Sequence, residues 1–164
     1  KTVFTFGLGR KTLYDTVHRN ADFLSLPVDE TNLPVHIMQN DNVVSINNTT
    51  SIDLAEQAAS ESDGHRHISG TGGQAQFVRG AYASRGGKSF VCLASTYERK
   101  GHRKSRIVLA HPSGTTVTTT RADTMYVVTE FGTVNLKGMS IPERARALIS
   151  IAHPDFRDAL ANSL

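Results

Sequence analysis

ISGTGGQAQFVRGAYAS, residues 68–84, is the segment that the rest of this chain is expected to support. It opens with three glycines within four positions, which lets a ligand approach the backbone closely. Apolar residues then recur at helical spacing, so the glycines are predicted to precede the N-terminus of a helix. Such an end carries unpaired N–H groups and partial positive charge, which suits a phosphate or a developing oxyanion. A tight turn with no ligand is an equally open interpretation.

Short strand-like segments lie on both sides of this loop and helix. The predicted strands are residues 3–6, 23–28, 43–46, 89–94, 107–110, 115–120 and 125–129. The segment 89–94 has the composition of a buried parallel strand, and Ser95 and Thr96 follow it where α/β folds bind ligands. With the intervening helices, these strands predict an α/β fold with a layered, mostly parallel sheet and flanking helices.

The C-terminal segment predicts two helices. Ser140 and Glu143 have the spacing of a capping box, and apolar residues from Ile141 to Ala152 form one helical face. His153-Pro154 then ends this helix and begins a second one. These helices are expected to support the sheet.

Length and composition indicate one domain, residues 1–164. Hydrophobic residues make up 38% and charged residues 20% of the chain, as in ordinary globular proteins. No apolar run is long enough for a membrane span, so no membrane association is expected. The single cysteine, Cys92, excludes an internal disulfide and fits a reducing cytoplasm. Its apolar neighbours favour a buried small side chain over a reactive thiol.

A basic segment and a pair of histidines could indicate a polyanion site and a metal site. Basic residues concentrate between positions 99 and 106, which would suit a nucleic acid or another polyanion. No aromatic residue lies within this segment to stack on bases, so we expect no nucleic-acid partner. His65 and His67 share a strand face, but no third metal ligand lies nearby in the sequence, so no metal is expected.

Eight segments in a fixed order carry a family resemblance. They are ISGTGGQAQFVRGA (68–81), GGKS (86–89), AST (94–96), SRIV (105–108), VTTTR (117–121), YVVTEFG (126–132), LKG (136–138) and AHPDFR (152–157). In this order and spacing they closely resemble the C-terminal domain of the acetyl-CoA hydrolase/transferase family, which includes 4-hydroxybutyrate CoA-transferases. The resemblance covers essentially the whole chain and implies a domain of the CoA-transferase fold.

The resemblance also implies a reaction. Such enzymes transfer CoA between carboxylates through an enzyme glutamate, which becomes an acyl anhydride and then a glutamyl-CoA thioester. This chemistry needs a carboxylate nucleophile and donors for the charge on the thioester oxygen. CoA is then a substrate rather than a permanent cofactor. An acyl-CoA hydrolase and a non-catalytic CoA- or nucleotide-binding module stay open as alternatives.

Individual site residues follow from the same resemblance. The backbone N–H of Gly73, together with Gly72, is the expected oxyanion donor, and Phe77 is expected beside the acyl pocket. The residues expected to contact substrate or CoA are Asn40, Asn47, Gly70, Thr71 and, on the basic segment, Lys100.

This chain departs from the family pattern at three points, one of which is that the basic loop after Thr96 is slightly longer than the usual form with its CoA-contacting lysine. The family's nucleophilic glutamate lies before the strand at residues 3–6, and no residue here matches it; Glu130, in the sequence TEFG, is only a weak substitute. Gln76 stands where relatives usually have aspartate. We therefore expect the chain to be the C-terminal part of a longer protein whose N-terminal domain supplies the nucleophile. A homodimer and an inactive isolated chain are also expected.

Overall fold

The computed structural model describes residues 1–164, in which short strands alternate with six helices. The helices are α1 (Lys11–Val17), α2 (Val28–Thr31), α3 (Pro34–Ile37), α4 (Gln74–Ala83), α5 (Ile141–Ser150) and α6 (Pro154–Ala161). The strands are β1 (Thr2–Phe4), β2 (Phe23–Ser25), β3 (Val44–Asn48), β4 (Ser51–Asp53), β5 (Ala58–Ala59), β6 (Ser62–Asp63), β7 (Arg66–His67), β8 (Lys88–Cys92), β9 (Thr96–Arg99), β10 (His102–Ser105), β11 (Ile107–Val108), β12 (Tyr126–Thr129) and β13 (Gly132–Asn135). None of the helices is long and apolar enough to cross a membrane.

A four-stranded sheet organises the molecule. Its strand order is β13-β12-β8-β3, with β12, β8 and β3 parallel and β13 antiparallel at one edge. The register places Ile46, Phe90 and Tyr126 side by side across the three parallel strands. The predicted α/β class and its mostly parallel main sheet are therefore confirmed.

The main core lies against one face of this sheet. Val91 and Val127 are fully buried there, and α5 contributes Ala145 and Leu148 to the same cluster. Buried Ser89 and Val91 alternate with half-exposed Phe90 and Cys92 along β8, so only one of its two faces is covered by the core. The prediction of a strand buried on both faces is wrong on this point.

The threonine-rich segment 115–120 is not a strand. Only Thr119 forms an isolated bridge, to Ala58. The hydroxyl of Thr118 accepts a hydrogen bond from the backbone N–H of Ser60 at 3.0 Å, and that of Thr115 accepts one from Gly64 at 2.9 Å. Threonine hydroxyls that bond to the backbone replace the ladder of a regular strand, which explains the wrong prediction.

Most of the basic segment belongs to a β-hairpin. Strands β9 and β10 are antiparallel, with Thr96 opposite Ser105 at one end of the hairpin and Arg99 opposite His102 at the other. Lys100 and Gly101 form its two-residue turn, with φ angles of 54° and 75°. Two successive positive φ angles are typical of the type I′ turn that joins tightly paired strands. Lys100 therefore lies at the tip of an exposed hairpin.

The predicted capping box at the start of α5 is confirmed. The Glu143 carboxylate accepts hydrogen bonds from the backbone N–H of Ser140 at 2.8 Å and from its hydroxyl at 2.5 Å. These two hydrogen bonds lower the pKa of Glu143. The second helix is also confirmed, with His153 at its N-cap and its ring accepting from the N–H of Asp155.

Removing this cap is expected to destabilise the fold modestly. We expect Ser140→Ala to lower the free energy of unfolding by about 1 kcal/mol, because the helix start loses its side-chain partner. Urea denaturation measures the change. Ser150→Ala is the matched control, since its exposed hydroxyl bonds only to Ala147 within the same helix. Equal losses in the two variants would contradict a specific role for the cap.

Candidate functional site

The glycine-rich loop leads directly into helix α4, as the sequence predicts. Gly73 is the N-cap residue, with φ −81° and ψ −2°, and the helix continues for ten residues from Gln74. The helix packs on β3 and β8. Its N-terminus therefore presents backbone N–H groups near the point where β3 ends.

This N-terminus borders a cavity of about 630 Å³. Four residues expected at the site meet in its wall, although they come from separate parts of the chain: Gly73, Phe77, Asn40 and Asn47. The remaining lining residues are Val3, Phe4, Thr5, Phe6, Thr31, Asn32, His36, Ile37, Val43 and Gln74. The cavity thus combines an apolar side with amides and a helix N-terminus.

Local contacts fix the orientation of the amides. The Asn47 Nδ2 donates to the Ser45 hydroxyl at 2.7 Å, and the Asn40 Nδ2 donates to the Ile37 carbonyl at 3.3 Å. Gln74, the first residue of α4, accepts from the Ser60 hydroxyl at 2.8 Å and donates to Thr119 at 3.1 Å. The two bonds of Gln74 tie the start of the helix to Ser60 and Thr119, which holds its N–H groups in place.

Asn32 is a site residue that sequence reasoning missed. Its side chain is 6% exposed and its Oδ1 accepts from the Thr31 hydroxyl at 2.8 Å. A Cβ added to Gly73 would lie only 2.6 Å from the Asn32 Nδ2. This amide donor therefore lies directly against the glycine at the helix start. Asn32 lies between Pro27 and Pro34, at the end of α2, and nothing local in the sequence indicates its distant neighbour.

Other predicted contact residues lie outside the cavity wall. Gly70, Thr71 and Gly72 are absent from the lining, and the Thr71 hydroxyl instead donates to Glu61 at 3.1 Å. Lys100 is also absent from it, at the hairpin tip. The structure thus brings together half of the eight predicted residues and places the others on nearby loops or on the hairpin.

Glu130 bridges the ends of two strands of the main sheet. Its carboxylate accepts from the backbone N–H of Ser95 at 2.8 Å and from the Ser95 hydroxyl at 2.5 Å. Burial raises the pKa of Glu130, but the hydrogen bonds from Ser95 and from the backbone N–H of Glu130, together with nearby His153, outweigh burial, so the pKa is lowered overall. Both carboxylate oxygens are engaged, and Glu130 does not line the cavity. This geometry favours structural support over nucleophilic attack.

Comparison with known proteins decides the family. Residues 9–164 match the family model described as the acetyl-CoA hydrolase/transferase C-terminal domain. The chain belongs to the acetyl-CoA hydrolase/transferase family. The resemblance deduced from the ordered motifs is therefore confirmed.

Curated members of the acetyl-CoA hydrolase/transferase family include close relatives. The chain is 49% identical to a butyryl-CoA:acetate CoA-transferase of Anaerostipes caccae over 98% of its length. It is also 49% identical to a 4-hydroxybutyrate coenzyme A transferase of Clostridium kluyveri over 99% of its length. Relatives named acetyl-CoA hydrolase are more distant, such as one of Saccharomyces cerevisiae with 31% identity over 124 residues.

Solved structures show the same fold. RipA from Yersinia pestis superposes with a TM-score of 0.89 at 50% identity, covering 98% of this chain and 36% of that one. The chain likewise spans 36% and 37% of the two curated transferases, about a third of their length. The match therefore concerns one domain of longer proteins.

Proposed function

We propose that this chain is the C-terminal, CoA-binding part of an enzyme that transfers CoA between an acyl-CoA and a small carboxylate such as acetate or 4-hydroxybutyrate. The observation that carries the proposal is the start of α4 at Gly73, which opens into a cavity of about 630 Å³. Names of relatives at about 50% identity support transfer as the reaction.

The helix N-terminus would stabilise charge on the thioester oxygen. In our proposal the backbone N–H of Gly73 donates to the oxygen as it becomes negative, assisted by Gly72 in the preceding loop. A fixed donor in a partly enclosed cavity stabilises developing charge without having to reorganise. The Asn32 amide, held by Thr31 against Gly73, adds a polar donor at the same place.

The remaining cavity residues would position the substrates. Phe77, one turn into α4, provides an apolar wall for the acyl group. Asn40 and Asn47 would hold acyl or pantetheine carbonyl groups, since the amide side chain can both donate and accept. Gly70, Thr71 and Lys100 are proposed contacts for the rest of CoA, with the lysine meeting a phosphate.

The nucleophile would come from outside this chain. We propose that an N-terminal domain of the same protein supplies the catalytic glutamate, and that the whole enzyme is a cytoplasmic homodimer. Glu130 is unsuited to the role because Ser95 occupies both of its carboxylate oxygens. The isolated chain is then expected to bind CoA without turning it over.

The test compares the full-length protein with the 164-residue chain. We expect the full-length protein to convert butyryl-CoA and acetate into acetyl-CoA, with little release of free CoA when acetate is omitted. Chromatography of the CoA esters and a thiol reagent measure the two products. The isolated chain is expected to show no transfer, and calorimetry with CoA measures its binding.

Three outcomes would contradict the proposal. Release of free CoA that does not depend on acetate would indicate a hydrolase. Rapid transfer by the isolated chain would make Glu130 the candidate nucleophile. If the full-length protein binds CoA but catalyses neither transfer nor hydrolysis, it is a non-catalytic binding module.

A further inference from the structure

A serine and a histidine form a hydrogen-bonded pair outside the candidate site. Ser51 is the first residue of β4, and His111 lies in the loop that follows β11. The parallel pairing of these two strands brings together positions that are 60 residues apart in the chain. The Ser51 hydroxyl lies 3.3 Å from the His111 Nδ1, a distance typical of nucleophile and base before a substrate binds. An imidazole in this place can activate a serine as a nucleophile.

The second ring nitrogen of His111 determines the role of the first. The Nε2 lies 2.8 Å from the carbonyl oxygen of Gln57, which can only accept a hydrogen bond. Nε2 therefore carries the hydrogen, and in the neutral ring Nδ1 accepts from the Ser51 hydroxyl. The carbonyl also holds the orientation of the ring. Hydroxyl, imidazole and carbonyl thus have the roles of a catalytic triad, with a backbone carbonyl in place of the carboxylate.

The Ser51 side of this pair faces a separate cavity. Ser51 lines a cavity of about 350 Å³, which is within the size range of small-ligand sites. The wall of this cavity shares no residue with the wall of the cavity at Gly73. His111 does not line it, so the base lies behind the serine. A ligand in the cavity can therefore reach the hydroxyl while the imidazole stays in place.

The wall of this second cavity is positively charged. It contains Arg66 and Arg106, neither of which forms an ion pair with a carboxylate. The carboxylate in the wall, Asp63, lies 3.7 Å from the Arg99 guanidinium, which offsets its charge. Two backbone carbonyls, one of them that of Thr50, accept from the Arg106 Nε and Nη1 at 3.3 and 2.7 Å, and its Nη2 has no partner. The cavity therefore fits a ligand that carries a negative charge.

We propose that Ser51 and His111 form a second catalytic site, which hydrolyses small carboxylic esters that carry a negative charge. The Ser51 Oγ bonds to the ester carbonyl carbon while its proton passes to the His111 Nδ1. The bond from this carbon to the alkoxy oxygen then breaks, and the alcohol leaves with the proton from Nδ1. Water attacks the acyl-serine with the same base and releases the carboxylic acid, and the proton returns to Oγ. No step uses the cavity at Gly73, so the inference is independent of CoA transfer.

The two arginines have separate roles in this site. Arg106 is half-buried and fixed by its two carbonyl contacts, so its Nη2 is assigned to the ester oxygen that becomes negative. A donor that is already in place stabilises this charge without having to reorganise. Arg66 is exposed and is assigned to the negative group of the substrate.

Covalent labelling of the full-length protein tests the nucleophile. We expect diisopropyl fluorophosphate to transfer its phosphoryl group to Ser51, as located by peptide mass spectrometry, and Ser51→Ala and His111→Gln to lose this label. Ser105 is the control in the same wall, because its hydroxyl donates to the Ile107 carbonyl at 2.6 Å and has no base beside it. An unlabelled Ser51, equal labelling of Ser105, or a label on Ser51 that persists in His111→Gln overturns the proposal.

Hydrolysis of an anionic ester gives a second readout. We expect the full-length protein to hydrolyse 4-acetoxybenzenesulfonate, and Ser51→Ala to do so about 100-fold more slowly. Arg66→Gln is expected to raise KM for this ester about fivefold, the upper value for an exposed charge pair, and not for the neutral sulfonamide. Absorbance of the released phenol measures both. Unchanged hydrolysis in Ser51→Ala, or equal effects of Arg66→Gln on both esters, overturns the proposal. The assay contains no CoA, so its failure and that of the transfer assay are distinguishable.

Discussion

Gly73→Val is expected to lower kcat/KM for CoA transfer in the full-length enzyme by about 100-fold or more, because a small displacement at a reacting centre has effects of this size. A Cβ at this position would lie 2.6 Å from the Asn32 Nδ2 and 3.5 Å from Phe77. The first distance is far below the contact distance of about 3.5–4 Å. Asn32 or the start of α4 must therefore move.

The backbone conformation of Gly73 ensures that the substitution tests only whether a side chain fits at this position. Its φ of −81° is open to any residue, so the substitution adds no backbone strain. Asn32 is 6% exposed and held by Thr31, which limits where its amide can move. The expected loss thus arises inside the cavity and not from unfolding, and a melting curve checks that the variant remains folded.

Gly7→Val is the matched control for this prediction. A Cβ at Gly7 would meet only Leu13, at 3.9 Å, which is ordinary contact. Steady-state kinetics of both variants, with CoA binding measured by calorimetry, separates the two sites. A Gly73→Val enzyme with transfer equal to that of Gly7→Val would remove Gly73 from the proposed site.

Features determined by neighbouring residues could be predicted from the sequence. The glycine-led helix and the Ser140–Glu143 capping box depend on residues within a few positions of one another, and both are confirmed. The parallel strands could be placed because their apolar runs are bounded by turn residues. The family motifs then indicated that Gly73 and Phe77 belong to a site.

Features determined by distant contacts could not be predicted. Asn32 meets Gly73 only because α3, which follows Asn32 in the chain, packs against α4, and no spacing rule links the two positions. The segment 115–120 has strand-like composition, but its hydroxyls bond to the backbone around Ser60 and Gly64.

Glu56→Ala is expected to cause the largest loss of stability, about 3 kcal/mol, because removing this fully buried side chain leaves a cavity beside two arginines. The Glu56 side chain is 0% exposed. Its Oε2 lies 2.8 Å from the Arg121 Nε and 3.7 Å from the Arg144 Nε. The value lies at the low end of the usual range because Arg121 is 42% exposed and can reach water.

Asp15→Ala is the matched control for this loss. Asp15 also forms an ion pair, with Lys11 at 2.6 Å, but the two side chains are 60% and 85% exposed. Exposed pairs contribute at most about 1 kcal/mol, so the control is expected to unfold almost as the wild type does. Urea denaturation compares the two variants, and similar losses would show that burial of Glu56 does not matter.

The neutral variant Glu56→Gln separates the charge of Glu56 from its packing. Burial raises the pKa of Glu56, and the two arginines only partly offset this, while Asp53 raises it further. The Arg121 Nε directs its hydrogen to the Ala55 carbonyl at 2.9 Å, so its contact with Glu56 is ionic without being a directed hydrogen bond. Glutamine keeps the shape without the charge, so a much smaller loss than with alanine is expected at neutral pH.

The pH dependence of this difference has a definite sign. A carboxyl whose pKa is raised by folding stabilises the protein below its unfolded pKa, near 4.5, and this contribution is lost as the pH rises through the folded value. The stability of the wild type relative to Glu56→Gln should therefore fall as the pH rises above 4.5. Other titrating groups are common to both proteins and cancel in the difference. A relative stability that instead rises with pH would show that the arginines, and not burial, dominate the environment of Glu56.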